Sequence, residues 1–179
     1  MTDKKLIFKN YLFFIIGATL LSSFQTSLWV THLNGLPSPN FWMPTLAFWA
    51  LYRHEKEFLI MIYLITLILS PLSGIPLGLF LLNNTIITLV AYFVKQRLYQ
   101  PGVIFYMLIC GAMTMSYPFI YWLLSHLLEE NPINSFSIYN WMMQTLLTTL
   151  VALPLYMLYV WIDDVTQMEL PTETGRQFQ

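Results

Sequence analysis

Charge is what this chain has least of: Asp, Glu, Lys and Arg make up 9% of its 179 residues, against about 25% in ordinary soluble domains. A soluble core of this length needs a polar coat, and these charges are too few to make one. Cysteine is almost missing too. With Cys110 alone no intramolecular disulfide can form, and a thiol inside an apolar run is expected to be buried and inert. Catalytic patterns are also lacking. Ser73 precedes Gly74 without a G-x-S-x-G frame, and His32, His54 and His126 fall on different loops without metal-ligand spacing. No ionisable group sits clearly at the centre of an apolar segment; His126, beside Glu129 and Glu130, comes closest. These gaps argue against an intramembrane enzyme, a metal centre and a proton-coupled transporter.

What the chain does have is hydrocarbon. Hydrophobic residues make up 57% of it, the composition of an all-α polytopic membrane protein. Its length suits about six spanning segments of ~20 residues and no separate soluble domain. Six apolar segments can be drawn, at residues 11–30, 39–52, 58–69, 77–94, 103–128 and 138–162, followed by a short polar tail at 163–179. Lys4, Lys5 and Lys9 before the first segment look like the start of a signal peptide, but the apolar run is too long and lacks a clean cleavage site, so an uncleaved helix is expected. The segments at 39–52 and 58–69 fall below spanning length and are expected to be tilted, thin or a re-entrant pair.

Basic residues set the orientation. If all six segments cross, Lys4, Lys5, Lys9, Arg53, Lys56, Lys95, Arg97 and Arg176 fall on one side, and the loops THLNGLPSPN, PLSGIP and EENPINSF on the other contain no Lys or Arg. The positive-inside rule then puts both termini in the cytoplasm. Trp29, Trp42 and Trp141 are expected near the outer interface, Trp49 and Trp161 near the inner one, and Trp122 in the core.

Mild polarity recurs at helical spacing. Asn84, Thr88, Ala91 and Lys95 share one face of the fourth segment; Thr145, Thr148 or Thr149 and Ala152, with Gln144 alongside, form a stripe on the sixth; Ala18, Ser22 and Gln25 form one on the first. Such faces serve close helix packing, a polar pocket or the docking of another membrane protein. Between the third and fourth segments, Pro71, Gly74 and Pro76 predict a tight reversal. Ser73 is expected to cap the next helix and Gly78 to allow close backbone approach. Pro101-Gly102 marks a second reversal, and Pro118 and Pro154 predict kinks.

The order of these features resembles the MreD family of rod-shape membrane proteins, best over about residues 39–99. A proline-led aromatic stretch, PNFWMPTLAFWALY, is followed by a short charged loop at 53–57. Next come a turn of S-G-x-x-L-G type (Ser73, Gly74, Leu77, Gly78), a long helix and a basic exit at Lys95, Gln96 and Arg97. Where the family often carries an aspartate before the turn, this chain has Ser70. The resemblance implies a non-enzymatic scaffold of the bacterial cell-elongation complex, in the inner membrane and without a cofactor. It implies partners too: an MreC-like bitopic protein, the MreB filament, RodA, a class B penicillin-binding protein and membrane lipids, with no nucleic acid among them. Gly74, Gly78, Asn84, Thr88, Lys95 and Arg97 are the candidate partner or packing face. The alternative is a substrate-binding S component of an energy-coupling-factor vitamin transporter, a fold the family is thought to resemble. Asn34, Asn40, Trp42, Glu129, Glu130 and Asn131 would then face the ligand.

Overall fold

Residues 4–33, 35–98, 102–130, 132 and 137–168 are described by a computed structural model; Asn34, Asn131 and the tail from residue 169 lie outside the described residues. Among the described residues every regular element is helical. Helix α1 (Lys4–Phe24) continues through a π-helical turn (Gln25–Trp29) and a last short piece (Val30–His32). Then follow α2 (Trp42–Tyr52), α3 (Glu55–Ser73), α4 (Leu77–Leu98), α5 (Val103–Leu128) and α6 (Ile138–Val165). Five of these helices are long and apolar enough to cross a membrane, so this is a multi-pass membrane protein. The exception is α2.

The two short segments of the sequence therefore part company. The third becomes a helix of 19 residues, because the charged loop and the turn that bound it both contribute helical turns. Glu55 and Glu57 stand in its first turn, where carboxylates oppose the positive end of the helix dipole. Pro71 is absorbed in its last turn, and Gly74 ends it in the left-handed conformation at φ 67°. Ser73 closes this helix rather than capping the next, its Oγ accepting from Ile75 N at 3.2 Å. Helix α6 likewise runs past the expected boundary to Val165, so Asp163 and Thr166 belong to the packed bundle rather than to the tail. Both α5 and α6 continue through Pro118 and Pro154.

Helix α2 has only 11 residues, and all of them are buried. At 1.5 Å per residue it is about 16 Å long, half the thickness of the hydrocarbon. It is apolar on every face because it touches protein on every face: α1, α3, α4, α5 and α6 all pack on it. Phe48 is its centre, with ring centroids 5.5 Å from Phe14, 5.3 Å from Tyr159 and 6.3 Å from Tyr106. The outer helices turn their apolar residues away, as Phe8, Leu20, Ile104, Phe119 and Leu150 show, each more than half exposed. That surface suits lipid.

Tryptophan placement follows from this and reverses part of the expectation. Trp42 and Trp49 are core residues at 8% and 0% exposure, while Trp122, expected inside, is 40% exposed. Ring position along a segment predicts depth, whereas burial depends on which helices surround it.

Close helix approach occurs at Gly111 rather than at Gly78. A Cβ at Gly78 would meet nothing within 4 Å, whereas one at Gly111 would stand 2.7 Å from Thr149 Oγ1. Thr149 cannot simply turn away, since that hydroxyl donates to Thr145 O at 2.8 Å. Gly111→Val is expected to cost about 1–3 kcal/mol by overpacking, read as a lowered thermal midpoint in lipid nanodiscs. Adding Thr149→Ala should recover part of that loss, and a midpoint equal to wild type in the single variant would refute the tight α5–α6 contact.

Candidate functional site

The chain between α1 and α2 enters the bundle without regular structure, and its backbone is met by side chains. Gln144 Nε2 donates to Ser38 O at 3.0 Å and to Asn40 Oδ1 at 2.9 Å. Asn40 N donates to Thr148 Oγ1 at 2.9 Å, and Phe41 N to Gln25 Oε1 at 3.4 Å. Thr148 lies ten residues into α6, about 15 Å from its start. Irregular backbone at that depth is tolerated only where protein satisfies it. Here the polar stripes of α1 and α6 do so. Gln144 and Thr148 hold the incoming strand, and Thr45 Oγ1 lies 2.7 Å from the Tyr159 hydroxyl one level deeper.

A second polar group lies at the far end of α2. Arg53 follows that helix directly, its backbone N–H bonded to Trp49 O, and its guanidinium forms an ion pair with Asp163 Oδ1. Both side chains are buried, at 3% and 0% exposure. Asn10 Nδ2 donates to Asp163 Oδ1 at 2.8 Å and to Thr166 Oγ1 at 2.7 Å, which brings α1 into the cluster. The guanidinium carbon also lies 5.3 Å from the centroid of the Trp49 ring. Tyr11 OH donates to Glu57 O at 3.3 Å, and Tyr92 OH to Glu55 Oε1 at 2.6 Å. Lys95 Nζ reaches Ala50 O at 3.5 Å and lies 5.6 Å from the Tyr92 ring. These contacts gather the start of α1, the α2–α3 corner, the end of α4 and the end of α6 at one end of the molecule. That is the end the sequence marks with its basic residues.

The six candidate residues divide between inside and outside. Asn84 and Thr88 are fully buried, and Asn84 Nδ2 donates to Thr66 Oγ1 of α3 at 3.2 Å. Gly74, Gly78 and Arg97 are exposed, and Lys95 is half-buried against the end of α2. Asn84 therefore joins α4 to α3, while the outward residues are placed to meet other molecules. Neighbouring Asn83, also fully buried, donates to Tyr117 O of α5 at 3.4 Å. Of the residues weighed for a vitamin site, Asn40 and Trp42 are buried. Glu129 instead accepts a hydrogen bond from Ser125 Oγ. Among the described residues no three His, Cys, Asp or Glu side chains come together.

In the sequence Arg53 reads only as a mark of orientation and Asp163 as the start of the tail, and nothing there points to Asn10 or Thr166. The one available signal was a lone Arg directly after an all-apolar stretch, with a lone Asp pair ending another. Removing one partner of a buried pair leaves an uncompensated charge, so Asp163→Ala is expected to destabilise the protein by about 3–5 kcal/mol. Replacing both, as Arg53→Met with Asp163→Leu, should restore most of that loss; unfolding in detergent measures both. If the double variant is no more stable than the single one, the pair is not what joins these helices. Compared with known proteins, the chain matches no family model, no curated protein and no solved structure.

Proposed function

We propose that this chain is a non-enzymatic scaffold of the bacterial cell-elongation complex, seated in the inner membrane with both termini in the cytoplasm. One observation carries the reading: the residues that make the sequence resemble the MreD family form a single structural unit. The proline-aromatic stretch is the buried helix α2, and α3 and α4, which pack on it, are joined by the S-G turn. The basic exit at Lys95 returns to the end of α2. Such a unit gives a buried, closely packed centre, which suits a platform for other proteins.

The partners of this reading are an MreC-like bitopic protein, with the MreB filament, RodA and a class B penicillin-binding protein around it. The exposed basic residues at the Arg53 end would meet anionic headgroups or the cytoplasmic filament. A shallow groove of about 140 Å³ between α4 and α5, lined by Ala91, Ala112 and Ser116 among apolar neighbours, has the small residues that admit a partner's transmembrane helix.

Co-purification from native membranes tests the assignment: a bitopic elongation protein should come down with the chain, and recovery of no elongation protein would overturn it. Ala112→Trp fills the groove and should lower recovery of that partner without lowering the yield of the chain itself. Topology is checked separately. A fluorescent protein that matures only in the cytoplasm should light up after Gln179, and an export-dependent phosphatase should be active in the loop between α5 and α6. A stabilising shift with a water-soluble vitamin would favour the S-component alternative instead.

A further inference from the structure

At the end opposite the Arg53–Asp163 pair lies a cavity of about 150 Å³ that the scaffold reading does not use. Ser22 and Gln25 of α1, Trp42 of α2 and Tyr117 of α5 line it with polar atoms; Leu69 and Phe80 supply apolar wall. Its rim is the S-G turn, where Ser73 and Ile75 stand, and the π-helical turn, which begins at Gln25. Single π turns of this kind often mark functional positions in helices.

Three of the lining side chains are deeply buried and carry polar atoms without a hydrogen-bond partner among the described residues. These are Ser22 Oγ, in a residue 3% exposed, Trp42 Nε1, in a residue 8% exposed, and the Tyr117 hydroxyl, in a residue 7% exposed. Leaving a buried donor or hydroxyl unbonded is costly, so three in one cavity point to something that completes them. Among the described residues no Asp, Glu, Lys, Arg or His lines the space, so a charged guest would be left unpaired. The rings of Trp42, Phe80 and Tyr117 form its aromatic side, with Trp42 edge-on to Phe80 at 5.8 Å and to Tyr117 at 6.1 Å. A void of about 150 Å³ holds one benzene-sized molecule and is well below the ~300 Å³ at which drug-sized sites begin.

We propose that this cavity binds a small uncharged molecule, one ring in size, with an oxygen that accepts from Trp42 Nε1 and bonds the Ser22 hydroxyl. A vitamin is too large for it. The inference is independent of the scaffold reading, since either can fail alone.

Phenol is the probe and toluene its isostere without the hydroxyl. With the full chain in lipid nanodiscs, phenol should raise the thermal midpoint with a saturable dose dependence, and ligand-observed NMR should show it bound. Trp42→Phe keeps a ring and removes the donor. It should weaken phenol about fivefold, the loss of one hydrogen bond, and leave toluene unchanged. Ser22→Leu fills the space and should abolish binding of both. If Trp42→Phe does not fold, Ser22→Ala gives the same comparison. Equal responses in wild type and Ser22→Leu would mean partition into lipid and overturn the proposal. So would the absence of saturable phenol binding to folded wild-type protein.

Discussion

A backbone amide cannot be left bare in hydrocarbon, and this molecule is organised around one stretch where the helix does not take care of it. Residues 36–41 run irregularly into the bundle, and Gln144, Thr148 and Gln25 supply the hydrogen bonds that a helix would have made internally. Because one half of that crossing is irregular, the helix after it needs only the other half, and α2 is 11 residues long. The irregular stretch is met by side chains of α1 and α6, and the helix it leads into is wrapped by the five long helices.

Polar groups inside the bundle are accordingly few and placed at joints. Arg53 and Asp163 tie the far end of α2 to α6, and Asn10 adds α1. Asn84 with Thr66 joins α4 to α3, and Asn83 reaches α5. Hydrogen bonds between membrane helices contribute about 0.6–2 kcal/mol each, so their value lies as much in register as in strength. A helix sliding by one turn would separate Arg53 from Asp163 and leave each buried charge without this partner.

A centre held at both ends and wrapped on all sides is built to stay put. Outside that centre, the outward glycines, Arg97 and the groove between α4 and α5 lie on the surface. The cavity beneath the S-G turn opens this interior at one end. Its unpartnered Ser22 and Trp42 contrast with the satisfied network around Asn40 only a few residues away in sequence.

Much of this was legible in the amino-acid sequence, because hydropathy, charge and turn residues act locally. The scarcity of charge requires a lipid environment; the run from Leu77 requires a helix; Gly74 between Pro71 and Pro76 requires a reversal; the basic residues gather at one end. The tertiary structure decided what surrounds each segment. PNFWMPTLAFWALY is equally apolar whether lipid or protein covers it, so its burial, and with it that of Trp42 and Trp49, depends on five helices closing around it. Arg53 and Asp163 are 110 residues apart and look like ordinary interfacial charges until α2 and α6 end at the same level. Hydropathy measures how much a segment avoids water, and only packing determines what it meets instead.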